Sequence, residues 1–254
     1  MKKWIWLVVI VLMIITLGVS AYLLKQNKLN QEINSGALPK FIQADFIDLD
    51  KIYSISKFRS GSGHDFSRGA GETCRSMKHY FNTQDTREKM DAFDRGNGIP
   101  PKPDGISDIS IYSPVDGKIV SVKMEKVFND QQVYIQSKTN PEYIVRLFHI
   151  YLEDGIKKGG QVKAGQTIGV IGQYSNTDIA VQVGGFNGQF ISYFDVIPDS
   201  IFAKYTSRGI KTRDDIIISK AERDANTLLC NGEQFAKNYD SDPASGNFVN
   251  LSER

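Results

Sequence analysis

The sequence predicts a mainly β domain, built as a compact barrel or sandwich, with a helical insertion, a C-terminal helix and an N-terminal transmembrane helix. The main signal lies in residues 158–172, where short apolar runs alternate with glycines that can take positive φ and turn the chain sharply. Residues 113–122 show the same organisation, with a proline, an Asp-Gly turn and a strand of period two. Residues 178–183 alternate with period two, which is typical of a strand: one face carries Ile179, Val181 and Val183, and the other carries Asp178, Ala180 and Gln182.

The first 25 residues are expected to form a membrane anchor or signal segment. Lys2 and Lys3 precede an uncharged apolar run from Trp4 to Leu24, and about twenty apolar residues suffice for one helix to cross a bilayer. This length favours an uncleaved anchor. The alternative is cleavage near Ala21, after a run of small residues. Either interpretation places the folded part outside the cytoplasm, as a single-pass membrane protein or as a secreted one.

One folded domain is expected over residues 41–235, after a polar linker at 26–40. Apolar residues at mixed spacing over 41–58 indicate that the fold begins there. Glu72 to Asp94 has the spacing and composition of a helix, within an insertion at about 69–105. This insertion is expected to cover or edge a cleft.

The C-terminal part is expected to be helical and then disordered. Residues 190–198 predict a last strand or an exit loop, and Thr212 to Leu229 predicts a helix, with Thr212 as N-cap and Gly232 as the stop. The polar tail, 236–254, is expected to be disordered.

The composition argues against nucleic acid as a partner. The chain has 254 residues and a formal net charge of +2, and its acidic and basic residues are interspersed without a basic block. Nucleic-acid-binding domains carry a basic patch or stripe. We therefore expect no nucleic-acid partner.

The two cysteines, Cys74 and Cys230, leave three interpretations open. An even count in an oxidising compartment favours a disulfide, which would tie the insertion to the C-terminal segment. The second interpretation is two buried free thiols. The third is a thiol enzyme that uses Cys74 with His79, but five positions on a helix separate two side chains by about 140°, a poor arrangement for a thiolate and its base.

Four segments of the chain carry a family resemblance. They read SPVDGKIVSV (113–122), VRLFHIYLEDGIKKGGQVKAGQTIGVIG (145–172), TDIAVQV (177–183) and, further upstream, GSGHDFS (61–67). Their content and order resemble the duplicated hybrid motif domain of the LytM/lysostaphin-type zinc metallopeptidases, over about half of the chain. The resemblance implies the fold of that family, whose usual substrates are peptidoglycan cross-links.

The resemblance also implies where a catalytic zinc would lie. In these peptidases the metal is held by a His-x-x-x-Asp pair and by the second histidine of a His-x-His pair, and a histidine at the end of the central strand assists catalysis. Asp65 matches the metal-binding aspartate, and His149 matches the strand-end catalytic histidine, which period two places on the apolar face of its strand. Gly61 and Ala180 stand at the two metal-binding histidine positions, so two of the three ligands are missing.

His64 and Asp178 are weaker candidates for a metal ligand. On an extended strand, His64 would point away from its neighbour Asp65, so sharing a metal requires a bulge. Asp178 could add an oxygen, and the resulting set of Asp65, Asp178 and His149 suits a harder ion better than catalytic zinc. The structural alternatives are a hydrogen-bonded, half-buried histidine for His149 and turn residues for the two aspartates.

These observations predict a non-catalytic module of the cell envelope. The domain is expected to bind or regulate a cell-envelope protein, or to bind a peptidoglycan peptide, without a cofactor and with residues 4–24 in the membrane. The alternative is an active metal-dependent endopeptidase that cleaves peptidoglycan cross-links, with zinc held by rearranged ligands. A third hypothesis is a structural envelope protein whose helices form the interaction surface.

Overall fold

The structure, a computed structural model, describes most of the chain in eight ranges: 2–67, 71–84, 109–126, 129–172, 176–184, 188–231, 234–235 and 246–253. The chain divides into two compact units, residues 1–39 and residues 40–254. Each unit is described by itself.

The first unit is a long helix, α1 (Lys2–Ser35). Within the described residues, its segment Ile10–Ser35 is long and apolar enough to cross a membrane. The hydroxyl of Thr16 donates to backbone carbonyls one turn earlier, so it adds no unsatisfied polar group to this segment. The helix runs through most of the predicted linker, 26–40, and ends before Gly36, whose φ of 71° suits a helix C-terminus.

The second unit is mainly β. Its strands are β1 (Ile52–Ser56), β2 (His79–Thr83), β3 (Ser110–Tyr112), β4 (Gly117–Glu125), β5 (Asp130–Ser137), β6 (Tyr143–Leu152), β7 (Gln161–Val162), β8 (Thr167–Ile171), β9 (Asn176–Val183), β10 (Gln189–Ile191), β11 (Cys230–Asn231), β12 (Gln234–Phe235) and β13 (Phe248–Asn250). Its helices are α2 (Asp199–Thr206) and α3 (Lys220–Ala225), with 3-10 helices at Leu49–Lys51, Tyr193–Asp195 and Arg213–Ile216.

The strands form one large sheet and a separate two-stranded ribbon of β11 and β12. The main path runs β13-β1-β2-β9-β6-β5-β4-β7, while β10 pairs with β9, and β8 pairs with both β3 and β6. Every strand pair described is antiparallel. The predicted mainly β architecture is therefore confirmed.

The core contains the apolar side chains that every second residue of the central strands places on one face of the sheet. Val145 of β6 lies opposite Val181 of β9, and Leu147 lies opposite Ile179; all four side chains are buried. Such apolar pairs across neighbouring strands are the unit that stabilises a sheet. Phe46 packs edge-on against rings from β2 and from the 3-10 helix that follows β10. The main core therefore lies on one side of β2, β9 and β6. On the other side, a smaller buried cluster that includes Phe148, Ala180 and Phe190 lies beside the polar residues of the alternation.

The helix predicted over Glu72 to Asp94 is wrong for residues 79–83, which form β2. Cys74, Met77 and Phe81 match the spacing of a helix face, but Phe81 is buried as a strand residue opposite Ile55 of β1. The hydrogen bonds that β1 and β9 offer to this segment decide its conformation, and a local pattern does not contain them. The rest of the predicted insertion, 85–105, lies outside the described residues.

Two predictions at the C-terminus also need correction. Thr212 to Leu229 is not one helix: the chain breaks at Ile217, whose neighbours exchange backbone hydrogen bonds with Phe58. Thr212 does cap the first short helix, through a capping box. The tail predicted to be disordered contains β13, which pairs with β1. Residues 236–245 and Gly232 lie outside the described residues.

Asp45 is a carboxylate buried beside the core. Its Oδ1 accepts hydrogen bonds from the hydroxyls of Tyr193 at 3.2 Å and Tyr205 at 2.8 Å. The buried Oδ2 has no hydrogen-bond partner among the described residues. Burial raises the pKa of Asp45 to about 6, although the bonds from the two tyrosines act to lower it.

We expect the stability of the domain to depend on pH through Asp45. Because the pKa is about 6 in the folded state and 3.8 for an ordinary aspartate, the folded state holds the proton more tightly. The stability this contributes is present below about pH 4 and is lost as the pH rises through about 6, a change of about 3 kcal/mol. Asp45→Asn should remove this slope in thermal unfolding measured from pH 4.5 to pH 7.5. An unchanged slope in the variant would contradict the assignment.

Candidate functional site

Three adjacent strands, β2, β9 and β6, position the site, and two of the four candidate residues, Asp178 and His149, lie on them. In the sheet, Asp178 lies opposite Tyr80 of β2 and, on its other side, opposite Phe148 of β6. Lys78 stands two residues before Tyr80, and alternate residues of an extended chain share a face. Lys78 therefore lies on the same face as Asp178, away from the apolar core.

An ion pair between Lys78 and Asp178 forms the centre of this site. The ammonium Nζ lies 2.6 Å from Oδ2, and the two side chains are 3% and 0% exposed. The rings of Phe66, Tyr80 and Phe148 lie 4.5 to 5.0 Å from the ammonium, at distances where ring faces attract a cation. Burial acts to lower the pKa of Lys78, but the charge of Asp178, the interaction with Tyr80 and the hydrogen bonds to both side chains together raise it, so Lys78 is positively charged.

His149 lies at a bend of β6. Phe148 is the last residue of β6 paired with β9, and Ile150 begins its pairing with β8. The φ of His149 is 58°, a left-handed conformation that costs a non-glycine residue about 1–2 kcal/mol. The bend brings the imidazole to Asp178, the registered partner of Phe148. The expectation that His149 lies on the apolar face of its strand is therefore wrong.

Three carboxylates surround the imidazole of His149. Its Nδ1 lies 3.0 Å from Oδ2 of Asp130 and 3.2 Å from Oε2 of Glu125, and its Nε2 lies 3.6 Å from Oδ2 of Asp178. Of the two carboxylates near Nδ1, Asp130 has the hydrogen-bonding geometry. Burial acts to lower the pKa of His149, but the charges of Asp178 and Asp130 and the hydrogen bond to Asp130 raise it overall.

Gly172 allows Asp130 and His149 to approach each other. A Cβ at this position would lie 2.9 Å from Oδ2 of Asp130 and 3.0 Å from the backbone oxygen of His149. The backbone N–H of Gly172 donates to that same oxygen at 2.6 Å. The last glycine of the 158–172 segment is therefore required by close packing beside the site.

The predicted metal ligands His64 and Asp65 behave differently. Nε2 of His64 lies 3.5 Å from the ammonium of Lys78, so His64 belongs to the site. Asp65 instead accepts hydrogen bonds from the backbone N–H groups of Cys74 and Arg75 and from the hydroxyl of Ser67. Its carboxylate organises the turn before β2, which is the structural alternative considered for it.

Sequence reasoning missed Lys78, Asp130 and Glu125. Lys78 lies in a segment with a helical pattern, where a lysine suggests a solvated face. Asp130 and Glu125 flank the turn between β4 and β5, where acidic residues are ordinary. The one available signal was the order Lys78, Tyr80 and Asn82, polar or amphipathic residues at period two that alternate with Met77, His79 and Phe81.

The remaining singled-out residues have structural roles. A disulfide joins Cys74 to Cys230 across 156 positions of sequence. His79 is buried: Nδ1 lies 2.8 Å from the backbone oxygen of Ser56, and Nε2 lies 2.8 Å from the hydroxyl of Ser192. Burial lowers the pKa of His79 to about 4, so it is neutral.

Comparison with known proteins adds structural neighbours only. No protein-family model matches the chain, and no curated protein matches it. Among solved structures it is similar to Csd3 of Helicobacter pylori, at 19% identity over 62% of this chain and 35% of that one, with a TM-score of 0.41. This chain thus spans about a third of the length of Csd3.

Two further neighbours have shorter chains. The catalytic domain of lysostaphin from Staphylococcus simulans is 17% identical over 56% of this chain and 90% of that one, with a TM-score of 0.35. The SpoIIQ-SpoIIIAH pore-forming complex contains a chain that is 12% identical over 66% of this chain and 98% of that one, with a TM-score of 0.41. The solved structures to which this chain is similar thus include one from the LytM/lysostaphin-type family that the sequence motifs indicate.

Proposed function

We propose that this chain is a membrane-anchored, extracytoplasmic domain of the LytM/lysostaphin type that does not cleave peptidoglycan. It acts in the cell envelope as a binding or regulatory module. The observation that carries the proposal is the position of Lys78, whose ammonium lies 2.6 Å from Oδ2 of Asp178 and 3.5 Å from Nε2 of His64, two of the candidate metal ligands. The anchor is the apolar segment of α1.

A zinc ion does not fit the site predicted from the family motifs. Asp65 is engaged by the turn before β2, and Oδ2 of Asp178 is paired with Lys78 at 2.6 Å. Two unit charges about 4 Å apart repel each other by about 4 kcal/mol at an effective dielectric constant of 20, and a dication doubles this energy. Lys78 therefore takes the electrostatic place of a metal beside Asp178, and it offers no Lewis acid to a peptide bond.

The surface that we propose for binding lies beside this ion pair. It is formed by the partly exposed side chains of Arg146 and Phe66, which pack against the buried rings of Tyr134, Phe148 and Phe190. The guanidinium of Arg146 lies 4.2 Å from the ring of Tyr134 and 5.2 to 5.3 Å from the rings of Phe66, Phe148 and Phe190. A partly exposed aromatic ring and a planar cation suit an extended peptide that carries a carboxylate. Peptidoglycan stem peptides and the tails of envelope proteins both have this chemistry.

Two measurements on the full-length chain in detergent micelles test the proposal. Incubated with purified peptidoglycan and zinc, the protein should release no more free amino groups than buffer does. It should co-sediment with peptidoglycan, and Arg146→Gln should weaken binding by about 10-fold to 100-fold, since hydrogen bonds to charged groups contribute about 1.5–3 kcal/mol. Lys157→Gln, at an exposed loop position, should bind like the wild type.

Zinc-dependent cleavage that disappears in Asp178→Asn would contradict the non-catalytic assignment. Equal binding by Arg146→Gln and Lys157→Gln would show that the surface around Arg146 and Phe66 is not the peptide site.

A further inference from the structure

We propose that Glu125, Asp130 and Nδ1 of His149 form a binding site for a divalent first-row transition metal ion. We call this set the Nδ1 site. It lies on the opposite side of the imidazole from Asp178 and Lys78. It shares none of the metal-binding positions of the family motif, and it does not depend on the proposed binding function.

The spacing of the three donor atoms matches the coordination sphere of such an ion. The donor atoms all lie within 4.8 Å of one another. The imidazole nitrogen is 3.0 Å from the Asp130 oxygen and 3.2 Å from the Glu125 oxygen. Two ligands that bind one ion at right angles with bonds of about 2.1 Å are about 3.0 Å apart. One ion can therefore bind all three donors with little movement of the side chains.

A proton on Nδ1 of His149 cannot satisfy both of the carboxylates beside it. One N–H can donate to only one of the two carboxylates. Asp130 is 0% exposed, and its Oδ1 has no hydrogen-bond partner among the described residues. Within the part of the chain that the structure describes, the buried Oε2 of Glu125 also has no hydrogen-bond partner, although it lies 3.2 Å from Nδ1 of His149. Buried carboxylate oxygens without partners are unfavourable, and a bound cation would satisfy them.

The surroundings of Nε2 of His149 are those expected for a histidine that binds a metal ion through Nδ1. Metal-binding histidines generally donate the other ring N–H to a carboxylate, which fixes the ring. Nε2 of His149 faces Oδ2 of Asp178 at 3.6 Å, and Lys78 holds that carboxylate in place at 2.6 Å. Glu125 is oriented in turn by a hydrogen bond from Nε2 of Gln132.

Charge balance favours a dication over a proton. Three carboxylates surround His149, and Lys78 supplies one positive charge, so these side chains carry a net charge of −2 when the imidazole is neutral. Protonation of His149 compensates half of this charge. A divalent ion compensates all of it, which matters because unbalanced charge is unfavourable away from water.

The donor set selects the class of metal. One imidazole nitrogen and two carboxylate oxygens suit Zn²⁺ or Mn²⁺, whereas Ca²⁺ prefers oxygen ligands alone. The Irving–Williams order favours Zn²⁺ of these two. The ion would tie both sides of the turn between β4 and β5 to the bend of β6, where His149 has its unfavourable φ.

Equilibrium dialysis of the chelator-treated, full-length protein against zinc chloride tests the Nδ1 site. We expect one Zn²⁺ per chain at pH 7.5. Near-UV circular dichroism should show a rise in Tm of roughly 5 to 10 °C at about 100-fold excess of zinc over the Kd. Asp130→Asn and Glu125→Gln should each weaken binding by roughly 100-fold or more, as loss of a direct ligand should exceed the effect of a supporting residue. Glu125 is partly exposed, so we expect Glu125→Gln to fold. This variant therefore tests the site even if Asp130→Asn misfolds.

Two variants serve as controls for position. Glu153→Gln, at an exposed position just after β6, should leave binding unchanged, and so should His64→Gln. Absence of zinc from the wild type, or wild-type affinity in both ligand variants, would overturn the proposal. Loss of zinc in His64→Gln would also overturn it, because the ion would then lie on the Lys78 side. Zinc binding without cleavage of peptidoglycan leaves the proposed non-catalytic function intact.

Discussion

Replacing Lys78 with methionine is expected to lower the free energy of unfolding of the β domain by about 3–5 kcal/mol. Methionine fills similar space between the aromatic rings but leaves the carboxylate of Asp178 without its ammonium partner. Asp178 is 0% exposed, and its Oδ1 already has no hydrogen-bond partner among the described residues. Removing one partner of a buried ion pair is far more destabilising than removing both.

The measurement is chemical denaturation of the full-length protein followed by near-UV circular dichroism. Tryptophan fluorescence would report on the wrong unit, because both tryptophans, Trp4 and Trp6, lie in α1. The double variant Lys78→Met with Asp178→Asn should recover most of the loss. Lys118→Met, at an exposed position of β4, should change stability by no more than about 0.5 kcal/mol. If Lys78→Met were no more harmful than Lys118→Met, the ion pair would not stabilise the fold.

Alternation along single strands predicted much of the sheet. Residues 117–122 and 178–183 carry a period of two that only a strand satisfies, and both are strands in the structure. The method failed at β2 because Cys74, Met77 and Phe81 also fit a helix face. β2 is held by neighbours whose sequences lie far away, with Lys78 and Asp178 separated by 100 positions.

The candidate site could also be predicted only in part, because its contacts join residues that are far apart in the sequence. His149 and Asp178 were found as candidates because the family motif marks their positions. The charges that govern them come from Lys78 and Asp130, and no local pattern distinguishes a buried lysine from a solvated one. The turn of the imidazole towards Asp178 depends on a φ of 58° at His149. That angle is set by the change of strand partner at this residue, which is a property of the sheet.

Removing the disulfide by Cys74→Ala with Cys230→Ala is expected to lower the free energy of unfolding by about 2–5 kcal/mol. The bond closes a loop with a sequence separation of 156, so it strongly restricts the unfolded chain. In the folded state it ties the turn before β2 to β11. An ion pair from Arg75 to Asp224, at 2.7 Å, joins the same turn to α3, which precedes β11.

Thermal unfolding with and without a thiol reductant measures the effect, and limited proteolysis locates it. The double variant should match the reduced wild type, and cleavage should begin between residues 219 and 235, because α3 and β11 lose a covalent attachment. Asp224→Asn is the matched control: its carboxylate is 42% exposed, and an ion pair at such a site contributes about 1 kcal/mol or less. If the control were as unstable as the cysteine variant, the ion pair would be the main link between these segments. If the cysteine variant is less stable than Asp224→Asn, the covalent bond is the main link. The turn that contains the contacts of Asp65 and leads into Lys78 would then depend on an oxidising environment.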